Sequence, residues 1–480
     1  MKRSYPIILF FFLLLPVCLS AQDTKLTPSE NLKAEMYKLQ DDPDFIHGVW
    51  SLCVLDVKRD SVLAEYNSGI GLVPASSLKV VTTAAGMAQL GENYRYETKI
   101  QYDGLYDSLN GVLYGNLYIK GSGDPTLGSK YFLKEKDTVS TLWKWARLLQ
   151  DKGIHKIEGS VIADPMLFDV NTIPETWIWG DMGNYYGAGA GGLNYRDNLY
   201  SIFFQTKGEG DTVKITRMSP AIPHLRLYNY VKASGSKDDA YIYGGPYDPF
   251  HFVTGSIPAH KTDFSVDGAM PDPAWYCAYE FDSVMRKSGV QILGKPTSLR
   301  DLRLMNKDEK KPRKTLFSEY SPRLGDIVWW TNRKSVNLFA ESILHTLAVR
   351  CNGYGSEGAG TNAITAYWIS RGVDMKGFYM NDGCGLSRWN SITSRQFVSI
   401  LRLATRDPAF KTFYKSFPEY SPGIVAKGGY ITRVRSYTGY ATKRNGELLA
   451  FSVIANNYDC SPLDARKKLE KLIDLIGLLE

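Results

Sequence analysis

The stretch PASSLKVVTTAAG, Pro74 to Gly86, places a serine three residues ahead of a lysine at the start of an apolar, helix-forming run. On a helix, positions i and i+3 share a face, so Ser76 and Lys79 would lie side by side. A serine hydroxyl becomes a useful nucleophile when a base removes its proton. A lysine can be that base when burial or a neighbouring cation lowers its pKa. The spacing alone is uninformative, because it recurs as Ser234…Lys237. That copy sits in the polar stretch KASGSKDDA, with no helical pattern behind it, and reads as a surface loop.

The surroundings of Ser76 are different. VWSLCVLDV and VLAEYN, joined by the polar KRDS, predict a β-hairpin that leads into the serine turn. Before it, TPSENLKAEMYKL carries a capping box with Thr27 at N-cap, Pro28 at N1 and Glu30 at N3. The far end mirrors this. GYITRVRSYTGYAT and ELLAFSVIANN flank KRNG, whose Asn445-Gly446 predicts a type I′ turn, and the amphipathic helix DARKKLEKLIDLIGLLE follows. Between 321 and 407, DIVWWTN, SVNLFAESILHTLAV, GTNAITAYWIS and RQFVSILRLAT read as helices. These features predict an α+β domain, residues 22–94 plus 313–480, with an antiparallel sheet covered by helices. Residues 95–312 have another texture. Short alternating strands (GVLYGNLYIKG, KIEGSVIAD, DTVKITRM) and the isolated helices STLWKWARLLQDKG and YCAYEFDSVMRKSG predict an inserted β-rich region of one or two subdomains.

Composition narrows the function classes. With 44% hydrophobic and 22% charged residues in 480, the chain is an ordinary globular protein. Lys2 and Arg3 precede the apolar PIILFFFLLLPVCLS, and Ala21 supplies a small residue before Gln22. This predicts a secretory signal peptide at 1–21, too short for a good spanning helix. Cys18 follows LLPV, a poor lipoprotein cleavage site, and no later run is apolar enough to span. The expectation is a protein exported to the periplasm, with at most peripheral membrane association. Loss of two positive charges with the signal takes the formal +7 to +5. The densest basic run, KDEKKPRK at 307–314, mixes signs and lacks aromatics, so it reads as a solvated linker and no nucleic-acid partner is expected. Cys53, Cys277, Cys351, Cys384 and Cys460 are scattered and odd in number, which argues against a disulfide framework and leaves one incidental disulfide open. No cysteine or histidine spacing suits a metal, and neither a metal nor a cofactor is expected.

Two further elements share the chemistry of Ser76 and Lys79. Ser335-Val336-Asn337 stands at a helix start, where a serine alone would read as an N-cap. Lys427-Gly428-Gly429 opens a late strand; the rival Lys287-Ser288-Gly289 ends a helix at Gly289 and precedes Ser335. In this order, S-x-x-K, S-x-N and K-x-G resemble the penicillin-recognising serine enzymes. GNLYIKGSGDPTL, IEGSVIAD, NDGCGLSRWN and VRSYTGYA resemble, more narrowly, the D-alanyl-D-alanine carboxypeptidase/endopeptidase family, the class C low-molecular-mass penicillin-binding proteins. That family carries extra domains in the gap of about 260 residues between the first two motifs.

The resemblance implies that Ser76 is acylated with Lys79 as its base. Ser335 would relay a proton to the leaving D-alanine, Asn337 would hold the peptide amide, and Lys427 would bring positive charge to the substrate carboxylate. The N–H groups of Ser76 and Tyr430, beside Gly428 and Gly429, would form the oxyanion hole. Asp164 resembles an acidic residue that borders the family's cleft and could meet a peptidoglycan amine. Two departures stand out. Gly428 replaces the usual threonine or serine, removing a hydroxyl from the carboxylate site. Cys384 replaces a serine in the D-G-S-G loop, as a buried small residue or as an exposed thiol near the cleft. The expected function is an exported serine DD-peptidase acting on peptidoglycan peptides and binding beta-lactams. Action on other D-amino peptides or esters, or wall binding without turnover, are the alternatives.

Overall fold

The structure is a computed structural model that describes residues 26–133 and 140–479. The expected signal peptide, with Cys18, lies outside the described residues. The central element is a six-stranded sheet built from both ends of the chain. We label its strands β1 (Val49–Asp56), β2 (Ser61–Tyr66), β3 (Glu419–Ser421), β4 (Ile424–Ile431), β5 (Val434–Thr442) and β6 (Leu448–Asn456). Their spatial order is β2-β1-β6-β5-β4-β3, antiparallel throughout. Strand β6 thus pairs with both β1 and β5, joining residues about 400 apart in sequence, as in Cys53 opposite Ser452.

Both faces of the sheet are covered. The middle strands β1 and β6 are buried almost throughout, and read as continuous apolar runs for that reason. On one face, helices Pro28–Gln40 and Pro462–Ile476 pack together over Leu52, Phe451 and Val453. The first carries the expected capping box, with Thr27 and Glu30 bonding each other's backbone. On the other face lie helices Lys79–Leu90, Leu324–Arg333, Asn337–Asn352, Glu357–Ser370 and Ser394–Ala404, around Val81, Ile343, Trp368 and Phe397. The fold class is α+β, as the sequence predicts.

Two local expectations fail. GYITRVRSYTGYAT holds the end of β4, a tight reversal at Thr432-Arg433 and all of β5. Arg433 takes φ +62° there, a conformation that a glycine would have advertised. The Asn445-Gly446 turn is not type I′. Gly446 has φ +82° but Asn445 is absent from the left-handed region that type I′ requires of both residues. Asn445 instead accepts the Glu447 N–H with its side chain.

Among the described residues, the stretch 97–320 holds five smaller sheets and a separate core around Ile100, Trp145, Ile202 and Phe281. The largest has five strands, with Glu97–Tyr102 paired to Lys314–Tyr320 at its edge. Helices Thr141–Asp151 and Pro273–Lys287 fall on the two predicted stretches and meet through Trp145 and Phe281, edge to face at 5.5 Å. No helix among the described residues is long and apolar enough to cross a membrane.

Candidate active site

Residues Ala75–Leu78 form one 3₁₀ turn that runs straight into helix Lys79–Leu90. Ala75 enters the turn at φ +46°, so the chain reverses sharply and presents Ser76 half-buried at the surface of the turn. Gly385 lies beneath it: at φ +84°, a Cβ there would stand 1.9 Å from the Ala75 carbonyl oxygen. Ser77 points into the sheet, donating to the Lys427 carbonyl at 3.0 Å and sharing a 2.8 Å hydrogen bond with Ser436. Two adjacent serines therefore do different jobs, one anchoring the turn and the other left available.

Lys79 is fully buried. Its Nζ lies 3.0 Å from Ser76 Oγ, 2.6 Å from Asn337 Oδ1 and 2.7 Å from the Cys384 carbonyl. As an ammonium, Lys79 has an acceptor for each of its three protons. As a free amine, it can accept the Ser76 O–H across the same 3.0 Å contact. Burial pushes its pKa down, against the pull of Cys384, Asp382 and Glu341. That direction favours the free amine.

The second and third motifs close the group. Ser335 occupies the short link between helices Leu324–Arg333 and Asn337–Asn352 at φ +58°. Its hydroxyl accepts from Lys427 Nζ at 3.0 Å. Asn337 opens its helix and donates through Nδ2 to the Tyr186 carbonyl at 2.8 Å. Lys427 sits within β4, buried, its pKa held well down by burial and then by the charge of Lys79.

Gly429 lies where β4 passes the serine turn. A Cβ there would meet Ser436 Oγ at 2.4 Å, the Pro74 carbonyl at 2.7 Å and the Ser76 nitrogen at 2.9 Å. Tyr430 follows, half-exposed, with the Arg435 guanidinium 4.7 Å from its ring centroid. Gly428 faces the other way. A Cβ there would touch Tyr437, whose hydroxyl reaches Glu470 of the C-terminal helix. A threonine hydroxyl at 428 would thus emerge on the face opposite Lys427, and would have to reach around the strand edge to meet a substrate.

Asp164 does not offer a free carboxylate. It ends strand Val161–Asp164 and is buried, with Arg313 2.6 Å away and the Met166 N–H on its other oxygen at 3.1 Å. Arg313 in turn lies over the Tyr118 ring at 3.8 Å. A substrate amine at Asp164 would have to share this carboxylate with Arg313.

Cys384 is fully buried and free, and the other four cysteines among the described residues are free as well. Behind Lys79, one atom each of Glu341, Asp382 and Cys384 lie within 4.8 Å of one another. A cation there would have to displace protein donors. The Asp382 carboxylate already accepts from Trp177 Nε1 at 2.9 Å, Gly385 N at 2.7 Å, Ser387 N at 2.6 Å and Asn390 Nδ2 at 2.8 Å. The set fits no resident metal.

The sequence missed these supports. Asp382 lies inside the quoted NDGCGLSRWN, and Glu341 is the one acidic residue in the helical run SVNLFAESILHTLAV, which is a signal in itself. Trp177 and Tyr186 reach the site from the middle of the chain, and nothing local announced them.

The sequence model of the D-Ala-D-Ala carboxypeptidase 3 (S13) family matches residues 32–419, which include Ser76, Lys79, Ser335 and Asn337. The chain belongs to that family. It is accordingly a serine-type D-Ala-D-Ala carboxypeptidase by class, a hydrolase. It is 25% identical over 445 residues to D-alanyl-D-alanine carboxypeptidase DacB of Haemophilus influenzae, covering 87% of each chain. It is also 25% identical over 477 residues to D-alanyl-D-alanine carboxypeptidase of Actinomadura sp. (strain R39), covering 92% of this chain and 84% of that one. Among solved structures, penicillin binding protein 4 (dacB) from Haemophilus influenzae superposes with a TM-score of 0.77 at 22% identity, over 93% of this chain and 98% of that one. This S13 chain therefore shares that protein's fold.

Proposed function

We propose that the protein is an exported serine DD-peptidase that cleaves D-alanyl-D-alanine peptides of peptidoglycan through an acyl-enzyme on Ser76, and that beta-lactams acylate the same serine. The observation that carries this reading is the 3.0 Å contact between Ser76 Oγ and the nitrogen of a fully buried Lys79. In the proposed cycle, Lys79 takes the serine proton as Oγ attacks the carbonyl carbon. The Ser76 and Tyr430 N–H groups receive the oxyanion, and Ser335, beside Lys427, returns a proton to the departing amine. Asn337 orients the peptide while its own amide is fixed between Lys79 and Tyr186.

Support also comes from outside the chain. The Haemophilus protein of this fold has been solved complexed with a novel beta-lactam. We also assign residues 1–21 as a secretory signal, the periplasm as the working compartment, and residues 95–312, together with the edge strand Lys314–Tyr320 that completes their five-stranded sheet, as a unit inserted into the catalytic domain. The unit's separate core supports the last point. Incubation with fluorescent penicillin followed by mass spectrometry of the labelled peptide tests the reading. The label should sit on Ser76, and purified muropeptides should release D-alanine. Absence of any adduct would reject the proposal.

A further inference from the structure

Strands Arg226–Asn229, Tyr241–Tyr243 and Phe250–Thr254 form a three-stranded sheet within residues 97–320, with Phe250–Thr254 in the middle. Side chains alternate across it. His251, Val253 and Ile242 turn inward and are buried, the last two in the core around Ile202. The opposite face carries Arg226 beside Phe250, then Tyr228, Phe252 and Tyr243 in one row across the three strands. Tyr230, whose N–H meets the Val253 carbonyl at 2.8 Å, and Tyr241, opposite Thr254, form the next row. Six of these eight outward side chains are aromatic and none is aliphatic. Tyr228, Tyr230, Tyr241 and Phe250 are 50%, 64%, 47% and 48% exposed. A solvated sheet face is ordinarily polar, so six rings on one such face mark a surface that meets a partner.

The face runs to the candidate active site. The exposed Trp179 ring lies 6.1 Å from Tyr243 and 6.5 Å from Phe252. It opens the short helix Trp179–Met182, where the Asp181 carboxylate accepts the Tyr186 O–H at 3.2 Å. The Tyr186 carbonyl is the group that holds Asn337. Asn184 fixes the join. Buried, it accepts the Ile242 N–H at 3.0 Å and donates to the Ile242 carbonyl at 3.3 Å. Strand Tyr241–Tyr243 is therefore pinned to the segment that positions Asn337. Tyr185, exposed and edge-on to Tyr186 at 5.2 Å, continues the aromatic surface.

We propose that this face is a saccharide platform, which seats the glycan strand of peptidoglycan while a peptide of that strand enters the cleft. The inference rests on the function proposed above. A pyranose offers the C–H bonds of its ring face to an aromatic side chain, and the hydroxyls of its rim to phenols and to the Arg226 guanidinium. Phe252 and Tyr243 stack on each other at 4.9 Å with 7° between planes, which stiffens the row and leaves the flanking rings to the sugar. A lipid surface or an obligate protein interface is ordinarily met by aliphatic side chains as well, and this face has none. A polymer that carries the scissile peptide also accounts for the continuity of the face with the cleft.

The test is the binding of end-labelled, peptide-free glycan strands, released from peptidoglycan by an amidase, to the full chain and to the triple variant Tyr228→Thr, Tyr241→Thr, Phe250→Thr. Threonine suits an exposed strand, so the sheet should persist. Aromatic anchors carry much of the affinity of a binding surface, and fluorescence anisotropy should show the variant at least about tenfold weaker. On a glycan-linked pentapeptide its KM should rise by a similar factor at unchanged kcat, whereas turnover of the free pentapeptide and acylation by penicillin should change less than about twofold. A wild-type chain that does not bind the strands, or binds them no better than the variant, overturns the proposal. So do equal losses on the free pentapeptide, which would seat the peptide itself on this face. Self-association or vesicle binding that the variant loses, with no glycan binding in either protein, overturns it too. Should the triple variant melt early, Tyr228→Thr and Phe250→Thr should each cost about threefold, and unchanged affinity in both refutes the platform. A wild-type chain that takes no penicillin rejects the Ser76 reading, while glycan binding, read without catalysis, decides this inference by itself.

Discussion

Two neighbouring glycines make the sharpest test of how the serine turn is held. Gly429→Ala would put a methyl carbon 2.9 Å from the Ser76 nitrogen and 2.7 Å from the Pro74 carbonyl, with Ser436 Oγ at 2.4 Å. The Ser436 hydroxyl is pinned by its bonds to Ser77 and Pro74, so it cannot rotate away without breaking that network. Ordinary carbon contacts begin at about 3.5 Å, so strand and turn must part by roughly 0.5–1 Å. Overpacking of this kind costs about 1–3 kcal/mol of stability. The larger effect falls on acylation, because both proposed oxyanion donors flank this contact. A misplacement of about 1 Å costs on the order of 10²-fold, and loss of one such donor about 10²–10³-fold. Gly428→Ala is the control: its Cβ would meet Tyr437 at 3.4 Å, an ordinary contact, on the other face of the strand. Second-order acylation rates with a fluorescent penicillin, alongside thermal melts, compare the pair. Gly429→Ala should lose at least about 100-fold in rate, and Gly428→Ala less than about fivefold. Equal rates in the two variants would refute the argument that close approach at 429 sets the site.

Ser76→Ala should abolish penicillin labelling and leave the melting temperature nearly unchanged, whereas Ser234→Ala should alter neither; residual labelling in the first variant would reject the nucleophile. Lys79→Arg keeps a charge that does not deprotonate in a cavity fitted to an amine, so acylation should drop by at least about 100-fold, and stopped-flow quenching with a labelled penicillin measures it. Lys427 has its folded-state pKa below its unfolded value, so the folded protein binds fewer protons and stability rises with pH through that window. Lys427→Met should therefore melt higher than wild type at pH 7, with a gap that narrows towards pH 10, while acylation collapses; a lower melting temperature at pH 7 would count against the burial argument. In the native protein a thiol reagent should modify the exposed Cys351 fast and Cys384 only on unfolding, which peptide mapping after timed quenching would show.

Much of this was legible in the sequence, and the parts that were not share a cause. Ser76, Lys79, Ser335, Asn337 and Lys427 sit in short motifs whose order survives any reading of the fold. The hairpins and helices that carry them follow from alternation and 3.6-residue periodicity. The reversal at Arg433 escaped because its left-handed backbone is held by β4–β5 pairing and carries no glycine signal. The Asp164–Arg313 pair is not visible in the sequence because its members lie 149 residues apart, Arg313 within a run that reads as solvated linker. Trp177 and Tyr186 join the site only through the fold, which sets Trp177 against Asp382 and the Tyr186 carbonyl against Asn337. Convergence of distant segments is set by tertiary packing, and local pattern does not encode it.

The pairing of β6 with β1, and the bonds from Ser77 to Lys427 and Ser436 across 350 and 359 residues, have a consequence for the order of events as the chain is made. A nascent chain that ends at residue 400 already contains Ser76, Lys79, Ser335 and Asn337, yet it lacks the strand surface against which the serine turn is built. Closing a loop that long costs entropy that only the completed sheet returns, so the turn should form late. Reactivity is then withheld from every incomplete polypeptide, and arrives with the last hairpin.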